Sequence, residues 1–82
     1  MRREIWVGAN GEVMRYNLAY INPLLNAADG GRVLGYDNAH GEHHRHHLGT
    51  VTPIAFVSFA QIERRFQSEW QTLIKETKHA KD

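Results

Sequence analysis

Residues 12–21 read EVMRYNLAYI, and their alternation decides the fold. Met14, Tyr16, Leu18 and Tyr20 fall on one face, and Val13, Arg15, Asn17 and Ala19 on the other. A period of two is the mark of a half-buried strand, so Arg15 and Asn17 are expected on its open face. Upstream, REIWVGA (3–9) is short, β-branched and aromatic, and it stops at Asn10-Gly11, the strongest short signal for a hairpin. Downstream, RVLGYDN (32–38) reads as a third strand, with Leu34, Tyr36 and Asn38 on one face and Val33, Gly35 and Asp37 on the other. The intervening NPLLNAADGGR (22–32) is a loop opened by Asn-Pro and closed by Asp-Gly-Gly, with Leu24 and Leu25 expected to fold back as a small apolar flap. AHGE turns the chain, and HHRHHLGT (43–50) runs back as a fourth strand.

VTPIAFV (51–57) crosses to a helix, since Pro53 argues against a central strand there. Ser58 followed by Gln61 makes a capping box. Phe59, Ile62, Phe66, Trp70, Leu73 and Ile74 then recur at the spacing of one apolar helical stripe, and burying each is worth roughly 2 kcal/mol. These aromatics are therefore expected in the core rather than against nucleobases. The fold class is α+β: an antiparallel sheet of about four strands in a meander, with one C-terminal amphipathic helix packed on a face. Residues 1–82 make one domain, strand-rich over 1–57, helical over 58–76 and frayed over 77–82.

The 82 residues allow only a modest core, and there is no cysteine to staple it. Any zinc site would have to use histidine and carboxylate. The formal charge of +1 is too weak to announce a nucleic-acid partner by field alone. Arginine outnumbers lysine seven to three, and its planar fork suits phosphate. No apolar run approaches the ~20 residues that span a membrane, and MRREIWVG does not read as a signal peptide. A cytoplasmic protein is expected.

YDNAHGEHHRHHLG (36–49) holds five of the six histidines. On a strand, residues 44 and 46 point one way and 43, 45 and 47 the other. Imidazoles two positions apart lie about 6.5–7 Å apart along the chain. That suits two proton carriers flanking one phosphate. In RNA cleavage the 2′-hydroxyl loses a proton as it attacks phosphorus and the departing 5′-oxygen gains one, and each general acid or base is worth roughly 10² to 10⁴ in rate. His44 and His46 are the candidate acid–base pair, Arg45 and Arg15 the candidates for phosphate, and Asp37 a candidate to orient an imidazole. No metal or other cofactor is needed. His40, His43, His44, His46, His47, Asp37 and Glu42 also offer metal ligands, with His43, His44 and His46 the set for a metal-dependent nuclease or nucleotidyl transferase, although no recognised zinc spacing occurs. A solvated surface strand is the third reading. Spacing leaves all three open.

RYNLAYINP, GRVLGYDNAHG, HHRHHLG and FVSFAQI together resemble the TumE family of small toxins from toxin–antitoxin pairs, over Arg15 to Trp70. The resemblance implies a toxin neutralised by binding its cognate antitoxin. Its motif falls on Tyr36, Asp37, Asn38, His40 and Gly41, then on His44, Arg45 and His46, with His43 and His47 flanking. It adds Tyr36, Asn38 and His40 as expected substrate contacts. The lead-in to the first strand is shorter than in many members of that family, and a sheet edge open to a partner strand is expected from it. Resemblance and chemistry combine into one expectation: a metal-independent endoribonuclease of the mRNA interferase type, with RNA as substrate. A toxin that binds RNA or the ribosome without cleaving is the alternative. A homodimer is also expected, because one helix covers one sheet face and leaves Trp6 and Leu24 without cover.

Overall fold

A computed structural model describes residues 1–27 and 29–80. Five strands, β1 (Arg2–Val7), β2 (Val13–Ile21), β3 (Arg32–Asp37), β4 (His44–His47) and β5 (Thr50–Pro53), precede one helix, α1 (Phe59–Ala80). The sheet order is β1-β2-β3-β4-β5, and every neighbouring pair is antiparallel. The architecture is the expected α+β meander with a C-terminal helix on one face, with one strand more than expected.

The extra strand follows a two-residue hairpin at Leu48-Gly49, where both φ angles are positive (48° and 89°). That backbone twist matches the twist of the flanking strands. Pro53 ends β5, the last strand of the sheet, where a missing N–H interrupts no ladder. The proline argument held for a central strand; it does not apply to an edge.

Two bulges set which residues face the helix. Trp6 pairs with Arg15 and Val7 with Val13, so Met14 has no partner. The shift turns Met14 outward (63% exposed) and packs Val13 against the core, the reverse of strict alternation. A second shift between Tyr20 and Ile21 leaves Val33 unpaired and buried beside Leu34.

The core joins Tyr16, Leu18, Leu34 and Tyr36 of the sheet to Ile62 and Phe66 of α1. Phe59, Trp70 and Leu73 pack around it as the helical stripe requires, whereas Ile74 stays outside. Ser58 Oγ accepts from the Gln61 N–H (3.1 Å), which caps the helix start. The helix runs to Ala80, past the expected end at 76; of the tail expected to fray, residues 81 and 82 lie outside the described residues. Leu24 is 95% exposed and forms no flap. Asn22 folds the loop on itself instead, its carbonyl accepting from Leu25 and Asn26 and its Oδ1 from Leu24. No described helix is long and apolar enough to cross a membrane.

Candidate functional site

Paired residues on adjacent antiparallel strands share a face. The pairs Glu4 with Asn17, Asn17 with Asp37, and Asp37 with His44 therefore form one row across the sheet. Ala19, Gly35 and His46 form the next row, and Trp6 with Arg15 the row on the other side. All of them stand on the face away from α1. His44 and His46 thus share the open face, as strand geometry required.

Gly35 leaves space that another side chain uses. A Cβ at that position would lie 2.6 Å from Arg32 Cδ, so the Arg32 side chain crosses the sheet over the glycine. Its guanidinium reaches Asp29 in a bidentate pair (2.9 and 3.0 Å) and Asp37 at 3.4 Å. This pairing holds the Asp29 carboxyl below its ordinary pKa, with the nearby charges of Arg32 and His46 adding to it. His46 sits between the same two acids, with Nε2 2.7 Å from Asp37 Oδ2 and Nδ1 3.6 Å from Asp29 Oδ2. Both ring nitrogens are shielded from solvent, and neither makes an aligned hydrogen bond. Only 12% of the His46 side chain is exposed. His46 is therefore the middle of a four-residue charge cluster rather than a group that meets solution.

Of the two open-face strand histidines, His44 is the one that does. Its side chain is 25% exposed, and Nε2 lies 3.5 Å from Glu42 Oε2, a largely exposed carboxylate. In the row on the other side, Arg15 stacks its guanidinium over the exposed Trp6 ring at 5.0 Å.

The other half of the histidine run serves the helix face. Arg45 donates from Nε to the Tyr36 hydroxyl (3.2 Å) and to Glu69 Oε2 (3.1 Å), and Nη2 pairs with the same carboxylate. The Tyr36 hydroxyl donates to Glu69, and burial raises the Glu69 pKa. Arg45 and the fully buried Tyr36 thus tie β3 and β4 to α1. Neither reaches the open face, so the expected roles in phosphate and substrate binding are withdrawn. His43 joins this side too: Nδ1 hydrogen-bonds the Tyr16 hydroxyl (2.8 Å) and the ring stacks on Phe56 at 4.1 Å. Burial, then the charge of Asp37, pushes the Tyr16 pKa up to about 12. Asn38 is also structural: its Oδ1 accepts from the Tyr16 N–H (2.9 Å) and its Nδ2 donates to the Met14 carbonyl (3.1 Å), which fastens the bulge. His40 is exposed in the short 3-10 turn Ala39–Gly41, at a left-handed φ of 62°.

The expected metal set His43, His44 and His46 fails on geometry. His43 lies on one side of the sheet and His44 and His46 on the other, so the three cannot converge on one ion. Among the described residues no three His, Asp or Glu side chains are placed to share a metal. Comparison with protein-family models, with curated proteins and with solved structures gives no match.

Arg32, Asp29, Trp6, Glu4 and Asn17 were not among the expected site residues, and Glu42 was expected only as a possible metal ligand. A signal existed for two of them. Asp29 and Arg32 are three apart across a Gly-Gly turn, and Gly35 is three beyond Arg32, which is the spacing of a guanidinium laid back over a glycine.

Proposed function

We propose that this chain is the toxin of a toxin–antitoxin pair and cleaves RNA on the open face of its sheet without a metal. The observation that carries the reading is His44, a partly exposed imidazole two positions from His46, braced by the Asp29–Arg32–Asp37–His46 cluster. His44 moves a proton at the reacting phosphate. Glu42, with its carboxylate 3.5 Å from His44 Nε2, is the nearest group able to carry the second proton. One of the two takes the proton of the 2′-hydroxyl as that oxygen bonds to phosphorus. The other gives a proton to the 5′-oxygen as its bond to phosphorus breaks. The products are a 2′,3′-cyclic phosphate and a 5′-hydroxyl. His46 acts as a positioning residue: its cluster fixes β3 against β4 and so fixes the His44 backbone. Of the two arginines expected at phosphate, Arg15 is the one on the open face and serves as the cation there. An antitoxin lying over this face would silence the toxin.

A second reading, a toxin that binds RNA without cleaving it, is favoured by the shielded nitrogens of His46, which remove half of the expected histidine pair. Purified protein incubated with RNA in EDTA separates the two. Fragments ending in 2′,3′-cyclic phosphate, lost in His44→Ala, support cleavage. Intact RNA held in a stable complex supports the second reading and overturns the first.

A further inference from the structure

A shallow groove of about 250 Å³ opens on the sheet face between Trp6 and Asp37, with Glu4, Arg15 and Asn17 along it. It lies just below the roughly 300–1,000 Å³ usual for ligand pockets, so it suits one flat ring better than a whole nucleotide. One wall is the exposed Trp6 ring with Arg15 stacked on it. An aromatic ring and a guanidinium plane both stack nucleobases.

The floor is rich in acceptors. Glu4 Oε1 accepts from Asn17 Nδ2 at 3.4 Å and lies 3.7 Å from Arg2 Nε. Asn17 Oδ1 is shielded from solvent and makes no hydrogen bond. A shielded acceptor without a donor calls for one. Asp37 closes the end of the groove, its Oδ2 held by Arg32 and His46 and its Oδ1 accepting from the Ala39 N–H.

We infer that this groove is a base-recognition site that takes a guanine. Guanine is the one common base whose Watson–Crick edge carries two adjacent donors, N1–H and N2–H. A carboxylate accepts both, and the Asn17 side chain holds the Glu4 carboxylate through Nδ2. Adenine and cytosine offer a single amino group, and uracil a single N–H. Arg15 decides against a simple cation as ligand. It already covers the indole and would repel a second positive charge, whereas it attracts the phosphate attached to a base. The inference rests on the RNA reading above and names its specificity: cleavage or binding beside guanosine.

Isothermal titration of the full chain with each of the four nucleoside 3′-monophosphates tests it. The guanosine monophosphate is expected to bind about 5- to 150-fold more tightly than the others, the discrimination of one bidentate edge contact. Glu4→Gln should erase that preference, and Trp6→Leu should weaken all four by a similar factor, because the Arg15 plane against which a base stacks rests on the indole. Equal or tighter binding of another nucleotide, tighter binding of free arginine, or no nucleotide binding at all overturns the inference. The outcome is separable from the nuclease reading. RNA cut without base preference overturns the guanine site and leaves the nuclease. Selective binding of the guanosine monophosphate with RNA left intact supports the site and overturns the nuclease.

Discussion

Residues 43–47 are consecutive, yet they belong to two regions that share no chemistry. His43 and Arg45 look toward α1, where they meet Tyr16, Phe56, Tyr36 and Glu69. His44 and His46 look the other way, onto Glu42, Asp37 and Asp29. A cluster in sequence is therefore not a cluster in space. The pleat divides the HHRHH run into a set that fastens the helix and a set on the open face, where His44 is partly exposed and His46 is closed in.

Substitutions that fall on one side at a time test this division. The largest effect is expected from His44→Ala: RNA cleavage, followed by gel and end-group analysis, should fall roughly 10²- to 10⁴-fold. Its urea midpoint should stay within about 0.5 kcal/mol of the parent, as for an ordinary surface change. Unchanged cleavage would remove the open face from catalysis. Arg45→Ala should do the opposite. Leaving Glu69 and the Tyr36 hydroxyl short of a partner should cost about 1–3 kcal/mol in urea unfolding, while the folded fraction cleaves at the parental rate.

Tyr16→Phe probes the helix side through pH. The folded state holds the phenol proton up to about 12, while the unfolded chain releases it near 10, so the folded state binds more protons between those values. Stability of the parent should therefore fall as pH rises from 10 toward 12, and the Phe variant should lack that slope. At neutral pH the variant should be weaker by about 0.5–1.5 kcal/mol, the hydrogen bond to His43 being lost. The smallest effect is expected at the Leu48-Gly49 turn, which joins β4 to the edge strand away from both sets. Leu48 holds a left-handed φ of 48°, which asparagine tolerates better, so Leu48→Asn should raise the thermal midpoint by the equivalent of about 1 kcal/mol and leave cleavage unchanged.

The sequence carried the fold where period alone determines it. The alternation of β2, the Asn10-Gly11 hairpin and the apolar stripe of α1 all appear in place, because each is a local pattern read by a local structure. Met14 was misplaced because a bulge has no period; it depends on how two strands pair across a turn. The fifth strand was missed because a four-residue edge ending in proline carries almost no signal of its own. In the site, period sorted the histidines by face. It could not show that His46 is closed in, because that closure comes from Arg32 lying over Gly35 and from Asp29 in a separate loop. Trp6 and Glu4 join Asn17 only through the β1–β2 register.

The meander has one more consequence. Each strand pairs with its immediate predecessor, so every ladder closes over a short stretch of chain. Topologies of such low contact order fold fast. The helix is the exception: it is translated after the five strands, and until it docks, the apolar side of the ribbon, Tyr16, Leu18, Leu34 and Tyr36, has no lid. On the ribosome, the interval between finishing the ribbon and releasing the helix is when this small chain is most open to chaperones and proteases.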